Sequence, residues 1–360
     1  MTTYLHELFL QLIRLGIGTS KEAKISFNID WVQLKALADA HGLSAVVLDA
    51  LDKLSTNDSN SLPLQLKLEW IGEVLQNYEQ RYVDYQKRIG ELAGFYHQHG
   101  YKLMVLKGYG LSLNWPNPKH RPCGDIDIYA FGDYKAADEA LHKELDIKIE
   151  KGHHHHTVFE WKGYSVENHY DFVNVHYGHG NDELEKEFKE QAKDDSHFVD
   201  IDGDKVYLPS ANLHALFLLR HSMQDFASAE LTLRQVLDWA FLVEKHTQEI
   251  DWKWLVETIK KFKMTDFFNI VNAICVGDLG FDVKIFPNVQ FDPFMKEKVL
   301  NEIISPSFPR EEPRNLLPRL VFKYKRWKGN AWKQELCYHD SRTGSFITSV
   351  WNHLLKPKTI

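Results

Sequence analysis

Residues 103–129, LMVLKGYGLSLNWPNPKHRPCGDIDIY, decide how the chain reads. The apolar run Leu103-Met104-Val105-Leu106 has the composition of a buried strand and stops at Lys107-Gly108. Fifteen residues separate Tyr109 from Asp125-Ile126-Asp127, which lies in a second strand-like run. Successive side chains of a strand point to opposite faces, so Asp125 and Asp127 share one face while Ile126 and Ile128 take the other. Two carboxylates placed this way make a hard-oxygen site suited to Mg²⁺. A bare Asp-x-Asp is more often the polar face of a strand near a turn. The upstream Lys-Gly and the intervening Arg121 shift that balance toward phosphate chemistry.

The flanks read as helices. Before the core, Trp31, Leu34, Leu37, Ala38 and His41 recur at helical spacing and Gly42 supplies a stop. The polar stretch 57–60 reads as a loop. A long helical pattern with an aromatic stripe (Tyr78, Tyr82, Tyr85, Tyr96) fills 64–99 and ends at Gly100; such a stripe reads as core. After the Asp125 strand the spacing predicts a helix over 133–144, a hairpin over 157–168 turning at Lys162-Gly163, and a second hairpin over 199–208. From Pro209 onward the period is helical again, through 214–223, 231–246, 252–262 and 267–277, and a basic helix over 319–328 follows a Pro-rich loop. The fold class is therefore α+β: a small mixed β-sheet core over 101–208, flanked by an N-terminal helical region (1–100) and a C-terminal helical region (209–360).

Composition bounds the function. An apolar and aromatic content of 44% is that of a globular chain. A formal charge of −7 argues against general nucleic-acid binding. The three cysteines, Cys123, Cys275 and Cys337, are too widely spaced for a disulfide framework or a zinc pattern. No secretory leader and no membrane-spanning run is evident, so the expected location is the cytoplasm, with no membrane partner.

The elements Leu106-Lys107-Gly108, Pro118, Arg121 and Gly124-Asp125-Ile126-Asp127 resemble the DNA polymerase β-like nucleotidyltransferase superfamily. More closely, the chain resembles a family of bacterial proteins known only as uncharacterised nucleotidyltransferases, whose pattern is a strand ending in Leu-Lys-Gly, a loop with Pro and Arg, then Asp-Ile-Asp. Leu233-Arg234-Gln235-Val236-Leu237-Asp238 and Asp251-Trp252 resemble the same family's helical segment after the core. The resemblance implies Mg²⁺- or Mn²⁺-dependent transfer of a nucleoside monophosphate from a nucleoside triphosphate to a hydroxyl-type acceptor, with pyrophosphate released. It implies that Asp125 and Asp127 hold metal. A third carboxylate is expected on a neighbouring strand. Glu167, in Tyr164-Ser165-Val166-Glu167-Asn168-His169, matches the family's Val-Glu-x-His stretch and is the candidate, with Asp171 its rival and His169 as orienting residue or substrate contact.

Phosphates are expected on Lys107, Gly108, Gly124 and Arg121, where Gly108 opens a short helix over 109–114. The wider superfamily carries Gly-Ser or Gly-Gly and a shorter gap, where this chain has Tyr109 and a longer, Pro-stiffened loop. Two alternatives stand beside transfer: a nucleotide-binding or scaffold protein without turnover, and a metal-dependent phosphohydrolase. The internal run His153–His156 reads as an exposed loop or strand edge, and the basic 319–328 face as solvated.

Overall fold

The computed structural model describes residues 4–25, 29–54, 62–152, 155–175, 181–228, 231–287, 290–308, 313 and 315–339. The polar 57–60 stretch, His153, His154 and Pro309 lie outside them. The chain forms two compact units. One comprises 62–217 with 248–250; the other comprises 1–61, 218–247 and 251–360. The division falls inside the Ala211–Ser228 helix.

The 62–217 unit is built on a mixed six-stranded sheet. Its strands are β1 (Met104–Val105), β2 (Ile126–Tyr129), β3 (His156–Trp161), β4 (Tyr164–His169), β5 (Phe198–Ile201) and β6 (Asp204–Tyr207), in spatial order β3-β4-β2-β1-β6-β5. Both expected hairpins are present. Lys162-Gly163 and Asp202-Gly203 take positive φ at both turn positions, matching the right-handed twist of the strands they join. β2 pairs antiparallel with β1 and parallel with β4.

Alternation along β2, β3 and β4 sends Ile126, Ile128, Phe159 and Val166 into one buried cluster with Leu92, Tyr85 and Tyr96 of the preceding helix. That helix runs Leu64–Val74, a π segment Leu75–Gln80, then Arg81–Gln98 without a break. The 3.6-residue pattern predicts the helix but not the π turn. The helix lies tight on the β5–β6 hairpin because Gly90 and Gly94, one turn apart, carry no side chain. A Cβ on Gly90 would come within 2.6 Å of Ile201, and one on Gly94 within 2.5 Å of the Asp204 carboxylate. The predicted 133–144 helix is Tyr134–Leu145, and its buried Asp138 accepts hydrogen bonds from Thr157 (2.7 Å) and Asn168 (2.9 Å), tying it to β3 and β4.

The second unit is helical throughout its described residues. Asp30 caps Trp31–Ala40, and Asp251 caps Trp252–Lys261 by accepting from the Trp254 amide. Gln235 Oε1 accepts the Thr232 amide at 2.9 Å at the start of Leu233–His246. Phe9, Trp239, Phe241 and Phe267 are among its fully buried side chains. No helix among the described residues is long and apolar enough to cross a membrane.

Candidate active site

Register places the carboxylates. On adjacent parallel strands Asp127 stands opposite Glu167, and Tyr129 opposite His169; β3 then sets His156 opposite His169. These residues share the sheet face turned away from the Ile126–Ile128 cluster, as strand alternation requires. The apolar face anchors the sheet and fixes the register, since a slip of one residue would carry the charges into the apolar cluster.

Asp127 is almost fully enclosed, and two donors converge on its Oδ1: Lys107 Nζ at 2.8 Å and His169 Nε2 at 3.1 Å. His169 Nε2 also lies 3.5 Å from Glu167 Oε2, so one imidazole spans both carboxylates. Burial alone would push the Asp127 carboxyl up. The Lys107 charge and the His169 hydrogen bond outweigh it and hold the group well below the usual carboxylate range. Glu167 shows the same contest in weaker form: burial raises it, the bond from His169 lowers it, and the net direction is down. Burial opposes the charged forms of His169 and Lys107, yet the facing carboxylates raise both above their ordinary values. The ammonium of Lys107 also lies 6.0 Å from the Phe217 ring centroid.

Lys107-Gly108 reaches this position because β1 ends just before it. Gly108 has φ +55° and ψ −107°, a conformation L side chains rarely adopt. A Cβ there would sit 2.2 Å from the Tyr85 hydroxyl. That hydroxyl donates to the Asp125 carbonyl at 2.7 Å, so the glycine leaves room for the bond that fixes the entry into β2. The aromatic stripe predicts Tyr85 only as core. It is core, but its polar tip braces the Asp-x-Asp strand.

The remaining expected residues are placed differently. Asp125 is exposed; partial desolvation first, then the negative charge of Asp127, raises its carboxyl. Among the described residues, the metal-competent group built around Asp127 comprises Asp127, Glu167 and His169, with ligand atoms within 4.8 Å of one another, and Asp125 is not a member. Arg121 is buried rather than on a surface loop, and its Nη1 donates to the Pro122 carbonyl at 3.1 Å. Gly124 is exposed. Asp171 lies beyond the end of β4, and its carboxylate is 3.4 Å from Lys189 Nζ. The expected helix over 109–114 is a single turn, Tyr109–Ser112. His155 is half-buried and His156 buried, which corrects the expectation of an exposed edge for these two; the strand carries them inward beside His169.

A family described as "Uncharacterised nucleotidyltransferase" matches residues 28–276. The chain belongs to this family. Membership makes it a nucleotidyltransferase, and the match covers every residue of the carboxylate site together with helices of both compact units. No curated protein and no solved structure matches the chain.

Proposed function

We propose that this nucleotidyltransferase is Mg²⁺-dependent, moving a nucleoside monophosphate from a nucleoside triphosphate to a hydroxyl acceptor with release of pyrophosphate. The observation that carries the reading is the direct pairing of Asp127 with Glu167 across parallel strands, with Asp125 two residues upstream. The donor set fits a hard divalent cation, being carboxylate oxygen on two adjacent strands. The Lys107 ammonium, 2.8 Å from Asp127 Oδ1, is a positive charge already held there and supports the fit. Asp125, Asp127 and Glu167 would hold Mg²⁺ or Mn²⁺, which when bound neutralises triphosphate charge and makes the α-phosphorus a better electrophile.

The chain's own residues divide the remaining work. His169, through Nε2, holds the Asp127 and Glu167 carboxylates in their relative orientation. Glu167, held below its ordinary value, is ionised at neutral pH and accepts the proton of the attacking hydroxyl. Lys107 turns its ammonium from Asp127 to phosphate oxygen, and Gly108 and Gly124 leave the backbone open to the same group. Arg121, being buried, braces the loop that leads into Asp125. Asp171 lies beyond the end of β4 beside Lys189, whereas Glu167 stands directly opposite Asp127, which favours Glu167 as the third carboxylate.

One observation favours a second reading, a nucleotide-binding protein without turnover: two donors already converge on Asp127 Oδ1. Pyrophosphate release from a panel of triphosphates and hydroxyl acceptors, with Mg²⁺ or Mn²⁺, separates the two. Release with a modified acceptor, abolished in Asp127→Asn, supports transfer. Binding without release, unchanged in Asp127→Asn, overturns it, and free monophosphate with no modified acceptor assigns the carboxylates to hydrolysis.

A further inference from the structure

Beside the carboxylates lies a second cluster, of which the transfer reading uses His169 through Nε2 and leaves its other members without a role. His155, His156 and His169 each bring one ring nitrogen within 4.8 Å of the other two. Their ring centroids are 4.5 Å (His155–His156), 5.5 Å (His155–His169) and 5.2 Å (His156–His169) apart. Three imidazoles this close suit a borderline ion better than they suit one another.

The backbone holds the three in place. His156 and His169 are direct partners across antiparallel strands, where side chains on one face stand closest. The His155 carbonyl accepts the amides of Tyr170 and Asp171 at 3.0 and 3.1 Å, which pins the start of β3 to the end of β4. Two of the rings also carry polar atoms with nothing to bond. Nδ1 of His155 and Nδ1 of His169 are buried without a hydrogen-bond partner, and the His169 side chain is only 4% exposed. A buried nitrogen left this way costs free energy unless a ligand fills its lone pair.

We propose that His155, His156 and His169 bind a divalent transition-metal ion of the zinc class. His169 would bind through Nδ1, because its Nε2–H is committed to Asp127. A ligating imidazole whose other nitrogen donates to a carboxylate is the usual way a protein fixes the tautomer and orientation of such a ligand. His156 also lines a cavity of about 960 Å³ together with Asp138 and Tyr170. The ion would clamp β3 to β4 and, through His169, set the orientation of Asp127 and Glu167. Its donors are nitrogen where the Mg²⁺ set is oxygen, and the two sets adjoin: His169 Nε2 lies 3.5 Å and His156 Nδ1 3.8 Å from Glu167 Oε2.

The test is zinc titration of the full-length, chelator-stripped protein, with Co²⁺ as spectroscopic substitute. One zinc per chain is expected, with visible Co²⁺ absorption of a low-coordinate, nitrogen-ligated ion. His155→Gln/His156→Gln should weaken zinc by more than about 100-fold. Should that double variant fail to fold, the single His155→Gln should still lower affinity by about 10-fold or more. Glu167→Gln, and separately His153→Gln/His154→Gln, should leave affinity within about threefold, a change well short of a lost ligand. Absence of stoichiometric zinc overturns the proposal. So does wild-type affinity in the His155/His156 variant, or loss of zinc with Glu167→Gln, which would place the ion on the carboxylates. Loss with His153→Gln/His154→Gln would assign binding to the histidine run as a tract and overturn it equally.

Discussion

Asp127 and Glu167 stand opposite each other on parallel strands, one side chain 3% exposed and the other 26% exposed. The same register thus gives two carboxylates with different structural burdens. Asp127→Asn removes the countercharge of the buried Lys107 ammonium and weakens the acceptor of the His169 Nε2–H, and an unpaired buried charge costs about 3–5 kcal/mol. Glu167→Gln leaves Asp127 to pair with both, and at this exposure should cost about 1 kcal/mol or less. Both should cut nucleotidyl transfer by at least about 100-fold. Urea denaturation and pyrophosphate release, measured on the same preparations, check the split. A Glu167→Gln variant that keeps wild-type turnover would remove Glu167 from the site.

Gly108→Ala should destabilise by about 1–3 kcal/mol from backbone strain alone, with the approach of the new Cβ to the Tyr85 hydroxyl added. Tyr85→Phe removes that oxygen along with its bond to the Asp125 carbonyl. The two changes should therefore be non-additive, the double variant more stable than the sum of the singles. Additivity in a chemical-denaturation double-mutant cycle would show that the contact is not what constrains position 108.

Lys107→Met tests the electrostatics with a defined sign. Asp127 is held well below its unfolded value, so it contributes stability in full at neutral pH and loses it as pH falls through the carboxylate range toward the folded value. Removing the ammonium raises the Asp127 carboxyl and shrinks that contribution. The deficit of Lys107→Met relative to wild type should be largest near pH 7 and should narrow as pH falls below about 4, the unfolded aspartate range. Thermal melts from pH 7 to pH 3 follow the gap, and a gap that widens in acid contradicts the pairing.

These contacts also mark what was legible in the sequence. Asp127 and Glu167 could be assigned to strands because Ile126, Ile128 and Val166 alternate with them, and a period of two fixes the face. The long 64–98 helix was equally plain from its apolar spacing. What escaped was anything set by approach across distant segments. Tyr85 meets Gly108 from 23 positions away, and the tyrosine stripe does not reveal which hydroxyl is polar-bonded. Gly90 and Gly94 look like weak helix positions until Ile201 and Asp204 fill the space. Arg121 is expected from its place before the aspartates to grip phosphate, and its burial depends on packing that its Pro-rich loop does not reveal. The histidine run leads directly into the Glu167 hairpin, which puts it near that carboxylate, but a run of identical residues carries no periodicity, so the burial of His155 and His156 beside His169 was not legible in it.

Glu185 offers a test away from the carboxylate pair. Its Oε2 accepts the amides of Phe172 and Val173 at 2.9 and 3.0 Å, holding the segment after β4, and Lys189 stands 3.5 Å from Oε1. Burial outweighs these partners and raises the carboxyl to about 7. A folded value above the unfolded one means the native state binds the extra proton, so stability is highest below about pH 4.5 for this group and falls as pH rises toward 7. Across that window the loss is on the order of 3 kcal/mol. Glu185→Gln keeps an acceptor oxygen for the two amides but cannot ionise. The variant should therefore gain on wild type between pH 5 and pH 7 in denaturant midpoint and level off above that. A difference that stays flat over this range would mean that Glu185 is ionised in the folded protein at little cost, with Lys189 and the two amides supplying more compensation than the burial of the group removes.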